Sequence, residues 1–530
     1  MKITIAQISP ILGDIEANKA LILSELDQCN SDIIIFPECA LSGYPPTDHW
    51  HRVDFKNACS DAIKDIILIS KNYSQLIIVG APVFNNNRWY NSALCISNGE
   101  LLHRYDKQLL PNYDIFNESR YFSVSSQSPL FKWNGVNIGL LICEDAWFNE
   151  QLGYNHDPCN ALEGKDIDLM VHIAASPFEV DKDNARNQQL FELNKRVSCP
   201  VVSVNQVGAY TDIIFDGASK LIQNGKIMHQ LRSFKSHVHS IDLDNCEQTL
   251  SVKPSNKLEQ LETAISFGLN EYMKRSKMER VVVAVSGGID SALVAALAVG
   301  ALGAENVTLV SMPTQYNSTE TKHDARALAT NLGCKFYEQS IEDVRGQLTN
   351  SVDQLTSESI TEITHQNIQA RLRGLVMMSI ANNQNALLLT TGNKSELAMG
   401  YATLYGDMCG GLNIIGDLFK TDVFELANHL NRHQVIIPVS IINREPSAEL
   451  ALNQKDSDSL PNYKKLDKIL HELMIKNISL NECIKMNDKN TVEFVMKKLA
   501  FHEFKRYQSP PILKLSSKSF GRGWQYPVVS

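Results

Sequence analysis

Through the first 243 residues, short apolar runs alternate with longer mixed stretches. Met1–Ile8 alternates apolar and other residues, the period-two pattern of a strand. Further strands are predicted at Ile33–Phe36, Leu76–Gly80, Val136–Ile142, Leu169–His172 and Val201–Val204. Each stops at Pro, Gly, an acid or a small polar residue, as strands entering site-bearing loops often do. The stretch from Asp242 to Lys257 turns polar and marks a linker. From Leu258 to Met278 the spacing becomes helical, and a second β/α series opens with Val281–Val285, Thr308–Met312 and Ala386–Thr390. Strands alternating with helices predict an α/β chain whose second half holds a parallel sheet. The expected organisation is one domain over residues 1–243, a linker over 244–257 and a second domain over 258–530.

Composition narrows the function. The 530 residues can bury sizeable cores, and 59 acidic against 50 basic residues leave a formal charge of −9. That balance argues against binding nucleic acid through bulk charge. The 11 cysteines are odd in number and none forms a Cys-x-x-Cys pair, a poor framework for disulfides or zinc. A reducing cytoplasm with mostly inert thiols is expected. The N-terminus reads as a strand and not as a secretory segment, and the most apolar stretch, Ala292–Ala304, is too short to span a bilayer.

The sharpest motif is Ser286-Gly287-Gly288-Ile289-Asp290-Ser291, set between an apolar strand and an apolar helix. Two glycines permit close backbone approach to a phosphate, and the helix N-terminus adds free N–H groups with positive dipole character. Asp290 suits a Mg²⁺ held between protein and phosphate. There is no Gly-Lys-Ser/Thr, so the loop is not a Walker A. It resembles the loop of the N-type ATP pyrophosphatases, which expose the α-phosphate of ATP to a nucleophile.

Three further segments select an acceptor. They are Gln366–Gly374, Thr390–Tyr401 continuing through Asp407, and Lys505-Arg506 with Pro510-Pro511 and Lys514. With Pro446–Leu450 and the stretch from Asp456 to Pro461, they closely resemble NAD synthetases over nearly all of residues 258–530. The resemblance implies a Rossmann-like adenine-nucleotide hydrolase domain. It implies ATP on Ala284, Val285, Ser286, Gly287, Gly288, Ile289, Asp290, Ser291 and Thr391, and Mg²⁺ on Asp290 and Glu396. It gives deamido-NAD to Asn367, Glu396 and Lys514, so Glu396 has two candidate roles. Arg371 reads either as a phosphate partner or as a helix-surface ion pair. Two departures stand out: Gln366 replaces an expected Glu, and Gly416 an expected Lys, for which Lys420 is the substitute at hand.

Upstream, Glu38, Lys107 and Cys143 each lie at a predicted strand end or in a polar loop beyond one. Singly, each is more often structural. Together they supply a base for a thiol proton, a cation for an oxyanion and a nucleophile. The three, with Glu118 in Phe116-x-Glu118-x-Arg120-Tyr121-Phe122, resemble the Glu-Lys-Cys set of the nitrilase family over residues 1–243. That resemblance implies an α-β-β-α sandwich. Pro111-Asn112-Tyr113 and Ser176-Pro177-Phe178 further resemble the glutamine amidohydrolases joined to NAD synthetases, which implies glutamine on Tyr113, Ser176 and Lys182. Gly208-Ala209 departs from a more usual Gly-Gly. The expected reaction is ATP-dependent amidation of deamido-NAD through an acyl adenylate, with ammonia drawn from glutamine. The resemblance also implies a homo-oligomer with small-molecule substrates and neither nucleic acid nor membrane as partner. Runner-up readings are another pyrophosphatase-type amidotransferase, such as a GMP synthetase, and a catalytically silent metabolite-binding scaffold.

Overall fold

A computed structural model describes residues 1–246, 256–356, 359–452 and 454–528. The chain divides into two compact units, Met1–Tyr210 with Ile214–Pro254, and Ser255–Ser530 with Thr211–Ile213. Most of the expected linker, residues 247–255, lies outside the described residues.

The first unit holds two six-stranded sheets. One runs in the order His237–Asp242, Lys2–Gln7, Ile33–Ile35, Leu76–Asn85, Arg88–Ser97, Glu100–Asp106. The other runs Lys226–Gln230, Lys220–Gln223, Val201–Asn205, Leu169–Ala174, Val136–Ile142, Leu130–Trp133. Their facing sides share one core, with Ile3, Ile35, Ile78 and Tyr105 from the first sheet and Leu140, Ile142, Val171 and Val202 from the second. Helix Val53–Ile69 packs on the first sheet and on helix Ile15–Gln28, and helix Lys182–Val197 packs on the second sheet. The layers are therefore α-β-β-α. Ile33, Ile34 and Ile35 are all fully buried because this parallel strand is covered on both faces, which is why its sequence does not alternate.

Strands Arg88–Ser97 and Glu100–Asp106 were not among those expected from periodicity. They are joined through Asn98-Gly99, and Arg88–Ser97 follows Asn86-Asn87; all four turn residues have positive φ. Asn-Asn and Asn-Gly at such positions are hairpin signals readable in sequence. The second hairpin matters, because its outgoing strand delivers Lys107.

The second unit carries a five-stranded, wholly parallel sheet in the order Lys335–Glu338, Val307–Ser311, Arg280–Ala284, Ala386–Thr390, Leu412–Asn413. Helix Glu362–Gln384 covers one face, its Ile368, Leu372 and Met377 clustering with Val282, Val310 and Leu388. Helix Ile289–Leu302 is apolar almost all round because it is sandwiched beneath helices Lys257–Ser276 and Lys420–Leu430. A helical cluster around Leu466, Val492, Leu499 and Phe520 packs behind the short helix Lys394–Met399. Strand Arg280–Ala284 lies between its sequence successor and a strand that returns much later, so the loop after it opens at the reversal of strand order. Ligands bind at such switch points.

Among the described residues no helix is long and apolar enough to cross a membrane. Among the described residues the cysteines form no disulfide, and none is exposed.

Candidate active sites

In the first unit, Lys107 directly follows strand Glu100–Asp106, Glu38 lies just beyond Ile33–Ile35, and Cys143 directly follows Val136–Ile142. Lys107 Nζ donates to Glu38 Oε1 at 2.8 Å and to Glu118 Oε1 at 2.7 Å. All three side chains are at most 1 % exposed. Glu38 is oriented at both oxygens: Asn91 Nδ2 donates to Oε1 at 2.7 Å and Ala175 N to Oε2 at 2.7 Å. Tyr44 donates its hydroxyl to Glu118 at 2.7 Å. Burial pushes the Glu118 carboxyl upward against the opposing pull of Lys107. Burial also works against the charge on Lys107, but Glu118 and Glu38 outweigh it and hold the ammonium well above its ordinary range. One buried cation therefore binds two buried acids, and removing it would strand both.

Cys143 sits at φ 47°, a left-handed conformation costly for a side chain with a Cβ, and opens a tight helical turn through Ala146. Its carbonyl receives a bond from His172 Nε2 at 3.1 Å, while the other ring nitrogen meets Ser203 Oγ at 2.9 Å. Burial, then the charge on Glu38, keeps the thiol well above its ordinary pKa, with Lys107 opposing. The resting sulfur is thus protonated at neutral pH, and a base must accept that proton when it reacts.

The predicted glutamine residues do not all line one pocket, but they stay within electrostatic reach of the Cys143 turn, Tyr113 facing Cys143 and Lys182 facing Glu144. Ser176 and Cys143 line one small pocket, together with His172, Arg186, Asn205 and Lys220. Tyr113 is absent from that lining. Its hydroxyl donates to both oxygens of Glu144, which also accepts from Tyr154 at 2.9 Å. Lys182 also stays outside and pairs with Glu179 at 3.0 Å. Asn91, Tyr44 and His172 have no spacing signature in the sequence; they meet the site residues only through tertiary structure.

In the second unit, Ser286–Ser291 bridges strand Arg280–Ala284 and helix Ile289–Leu302. The loop is stapled internally: Gly288 N donates to Ser286 Oγ at 3.1 Å and Ser291 Oγ to the Gly288 carbonyl at 3.1 Å. Gly287 has φ 85°, and a Cβ there would sit 2.3 Å from the Thr321 carbonyl oxygen. Gly287→Ala should cost about 1–3 kcal/mol through backbone strain alone. A lower midpoint in urea-induced unfolding would register it, whereas an unchanged midpoint would mean that the loop relaxes freely.

Residues Ala284–Ser291, Asn367, Thr391, Glu396 and Lys420 all line one large cavity. Asp290 accepts from Asn393 Nδ2 at 2.8 Å and from Lys420 Nζ, which also reaches Glu396 Oε1 at 2.9 Å. Burial, then the Asp290 charge, raises the Glu396 carboxyl, with Lys420 opposing. Gly416 has no room for a longer residue, because a Cβ would lie 2.7 Å from Asn413 Nδ2. The cation arrives instead from Lys420, at the start of the next helix.

Two of the nominated residues lie outside this cavity lining. Lys514 is buried, and its ammonium bonds the Ser516 carbonyl. Arg371 faces outward from helix Glu362–Gln384, makes no ion pair of 4.0 Å or less among the described residues, and its Nε bonds the Leu404 carbonyl at 3.2 Å. Two positions further on, the helix turns Arg373 into the cavity, where burial lowers its pKa to about 10.

Two stacked sheets with a Lys-bridged pair of acids beside a strained cysteine define a carbon-nitrogen hydrolase unit, and the parallel sheet with its glycine loop defines an NAD synthase unit. The carbon-nitrogen hydrolase family matches residues 2–250 and the NAD synthase family residues 261–509. A glutamine-dependent NAD(+) synthetase of Synechocystis is 38% identical across 99% of this chain and 98% of its own length. The enzyme of that name from Aquifex aeolicus is 35% identical across 100% and 99%. Among solved structures, the glutamine-dependent NAD+ synthetase of Acinetobacter baumannii, in complex with ADP, superposes with a TM-score of 0.79 at 34% identity, covering 99% of this chain and 98% of that one. The chain belongs to the glutamine-dependent NAD(+) synthetase family.

Proposed function

We propose that this chain makes NAD from deamido-NAD, ATP, glutamine and water, releasing AMP, pyrophosphate and glutamate. The domains are residues 1–243 for glutamine hydrolysis and 258–530 for synthesis, joined by 244–257. The enzyme works in the cytoplasm as a homo-oligomer.

Cys143 Sγ attacks the side-chain amide carbon of glutamine while Glu38 accepts the thiol proton. Lys107 stabilises the negative charge that develops on the amide oxygen. Glu38 returns the proton to the departing nitrogen, leaving ammonia and a thioester that water hydrolyses to glutamate. Tyr113, Ser176 and Lys182 hold the substrate; the Glu144 carboxylate bonded by Tyr113 is a counter-charge for the glutamine ammonium.

In the second unit, the backbone of Ser286–Ser291 binds the β,γ-phosphates and Thr391 the rest of ATP, while Asn367, Glu396 and Lys514 serve the dinucleotide. The substrate carboxylate attacks the α-phosphorus, pyrophosphate leaves, and ammonia then displaces AMP from the acyl adenylate. Asp290 and Glu396 offer oxygen donors suited to Mg²⁺. Among the described residues no cluster of three or more such ligands exists, so Asp290 and Glu396 would be the protein groups to hold the ion. When bound, Mg²⁺ supplies charge neutralisation on the phosphates.

One observation carries this reading: the likeness to glutamine-dependent NAD(+) synthetases runs through both units of a single chain. A GMP synthetase or a silent scaffold is not favoured by it. The test is isotopic. With glutamine labelled at the amide nitrogen, the label should appear in the carboxamide of the NAD formed. Unlabelled NAD, made in ammonia-free buffer, would sink the proposal.

A further inference from the structure

Asp145 is fully buried and has no ion pair of 4.0 Å or less among the described residues. A carboxylate in that position costs stability unless its lone pairs are filled. They are filled by four donors. Oδ1 accepts from the backbone N–H of Gln108 at 2.9 Å and of Leu109 at 2.8 Å. Oδ2 accepts from the Tyr105 hydroxyl at 2.9 Å and from Ile142 N at 3.2 Å. Three of these donors flank Lys107, and the fourth is the residue immediately before Cys143.

The same stretch is pinned from its other side, where Lys107 N donates to the Asn91 carbonyl at 2.8 Å. Asn91 also presents its side-chain amide to Glu38. Lys107 is thus placed by two struts: Asn91 ties it to the base, and Asp145 ties it to the turn that carries the sulfur.

We propose that Asp145 is a positioning residue of the glutaminase site, holding the Lys107 segment in register with the strained Cys143 turn. This rests on the reading of Glu38, Lys107 and Cys143 as that site. The chemistry explains why Asp and no close substitute serves. All four neighbours are donors, three of them backbone N–H groups that cannot rotate away. Asparagine offers one acceptor oxygen and an NH₂ that would oppose Ile142 N. Glutamate carries an extra methylene into a fully buried site. Loss of the strut leaves Glu38, Lys107 and Cys143 chemically intact but displaced by a fraction of an ångström to an ångström, enough to cost on the order of 100-fold in rate.

Asp145→Asn should lower kcat for glutamine hydrolysis about 100-fold while the KM for glutamine stays within about twofold. Ammonia-supported NAD formation should be unaffected, because that chemistry belongs to the other unit. Formation of the thioester, followed by rapid quench, should slow in parallel with kcat. Tyr105→Phe removes one donor of four and should give a smaller kcat loss, about threefold to tenfold, so a result remains if Asp145→Asn folds poorly. A wild-type kcat in Asp145→Asn overturns the proposal. So does an equal fall in ammonia-supported synthesis in both variants, the mark of a purely structural residue. Failure of the underlying site would show differently, as persistent glutamine hydrolysis in a Cys143→Ala control.

Discussion

Cys143→Ala should abolish NAD formation from glutamine, by at least about 10⁴-fold, while ammonia-supported formation stays within about twofold of wild type. The nucleophile of a covalent mechanism has no substitute. Knockouts of such groups cost four or more orders of magnitude because the remaining residues cannot open the same route. The surroundings of Cys143 sharpen the expectation. Among the described residues the one other thiol facing Glu38 and Lys107, Cys39, is pushed well above its ordinary pKa by burial and by Glu38, so it does not stand ready as a thiolate. The substitution is also mild for the fold: it removes one sulfur from a residue that already adopts a left-handed conformation. The measurement is a pair of steady-state assays, one with glutamine and one with ammonium salt, on wild type and variant together. If both activities vanish while the far-UV and near-UV circular dichroism stay native, separate sites for nitrogen release and nitrogen use are refuted. Retained glutamine-dependent synthesis would remove Cys143 from the mechanism.

Asp290→Asn should instead lower synthesis with either nitrogen donor, by about 10²- to 10³-fold. Asp290 stands at the first turn of helix Ile289–Leu302 and accepts from both Asn393 and Lys420. Asparagine preserves the volume but removes the charge, and its NH₂ must face one of two groups that are already donors. The balance around Lys420 then shifts. With the neighbouring negative charge gone, the raised Glu396 carboxyl loses one of its two main causes and moves back toward its ordinary value. If Asp290 and Glu396 hold Mg²⁺ as proposed, the variant should also need more Mg²⁺ for half-maximal rate. Rates with glutamine and with ammonia, each across a Mg²⁺ titration, check this. An unchanged rate and Mg²⁺ requirement would strip Asp290 of a metal role.

Much of this architecture was legible in one sequence because its central strands are covered on both faces. Runs such as Ile33–Ile35, Ile138–Ile142 and Ala386–Leu389 carry no charged or polar side chain, and each lies in a strand where one is expected. The loop Ser286–Ser291 was equally plain, since close approach to a phosphate restricts both residue type and spacing. Antiparallel strands with partly solvated sides, such as Glu100–Asp106, left a weaker trace in periodicity, and their turn residues were the better signal.

Residue chemistry alone nominated Glu38, Lys107 and Cys143, for each is usually structural on its own and the three share a purpose together. Their surroundings were decided by stacking two sheets. That operation brings Ala175 to Glu38 and Asp145 to the backbone N–H groups just after Lys107, while Asn91 meets Glu38 within the first sheet, across separations of up to 137 residues. Helical phase made the same kind of decision in the second unit, turning Arg373 inward and Arg371 outward although the two stand two positions apart. Local sequence determines what a segment can become and which groups it carries, because dihedral preference and burial act over a few residues. Which of those groups meet depends on tertiary packing, where hydrogen-bond donors and acceptors far apart in the chain must be matched within about 3 Å.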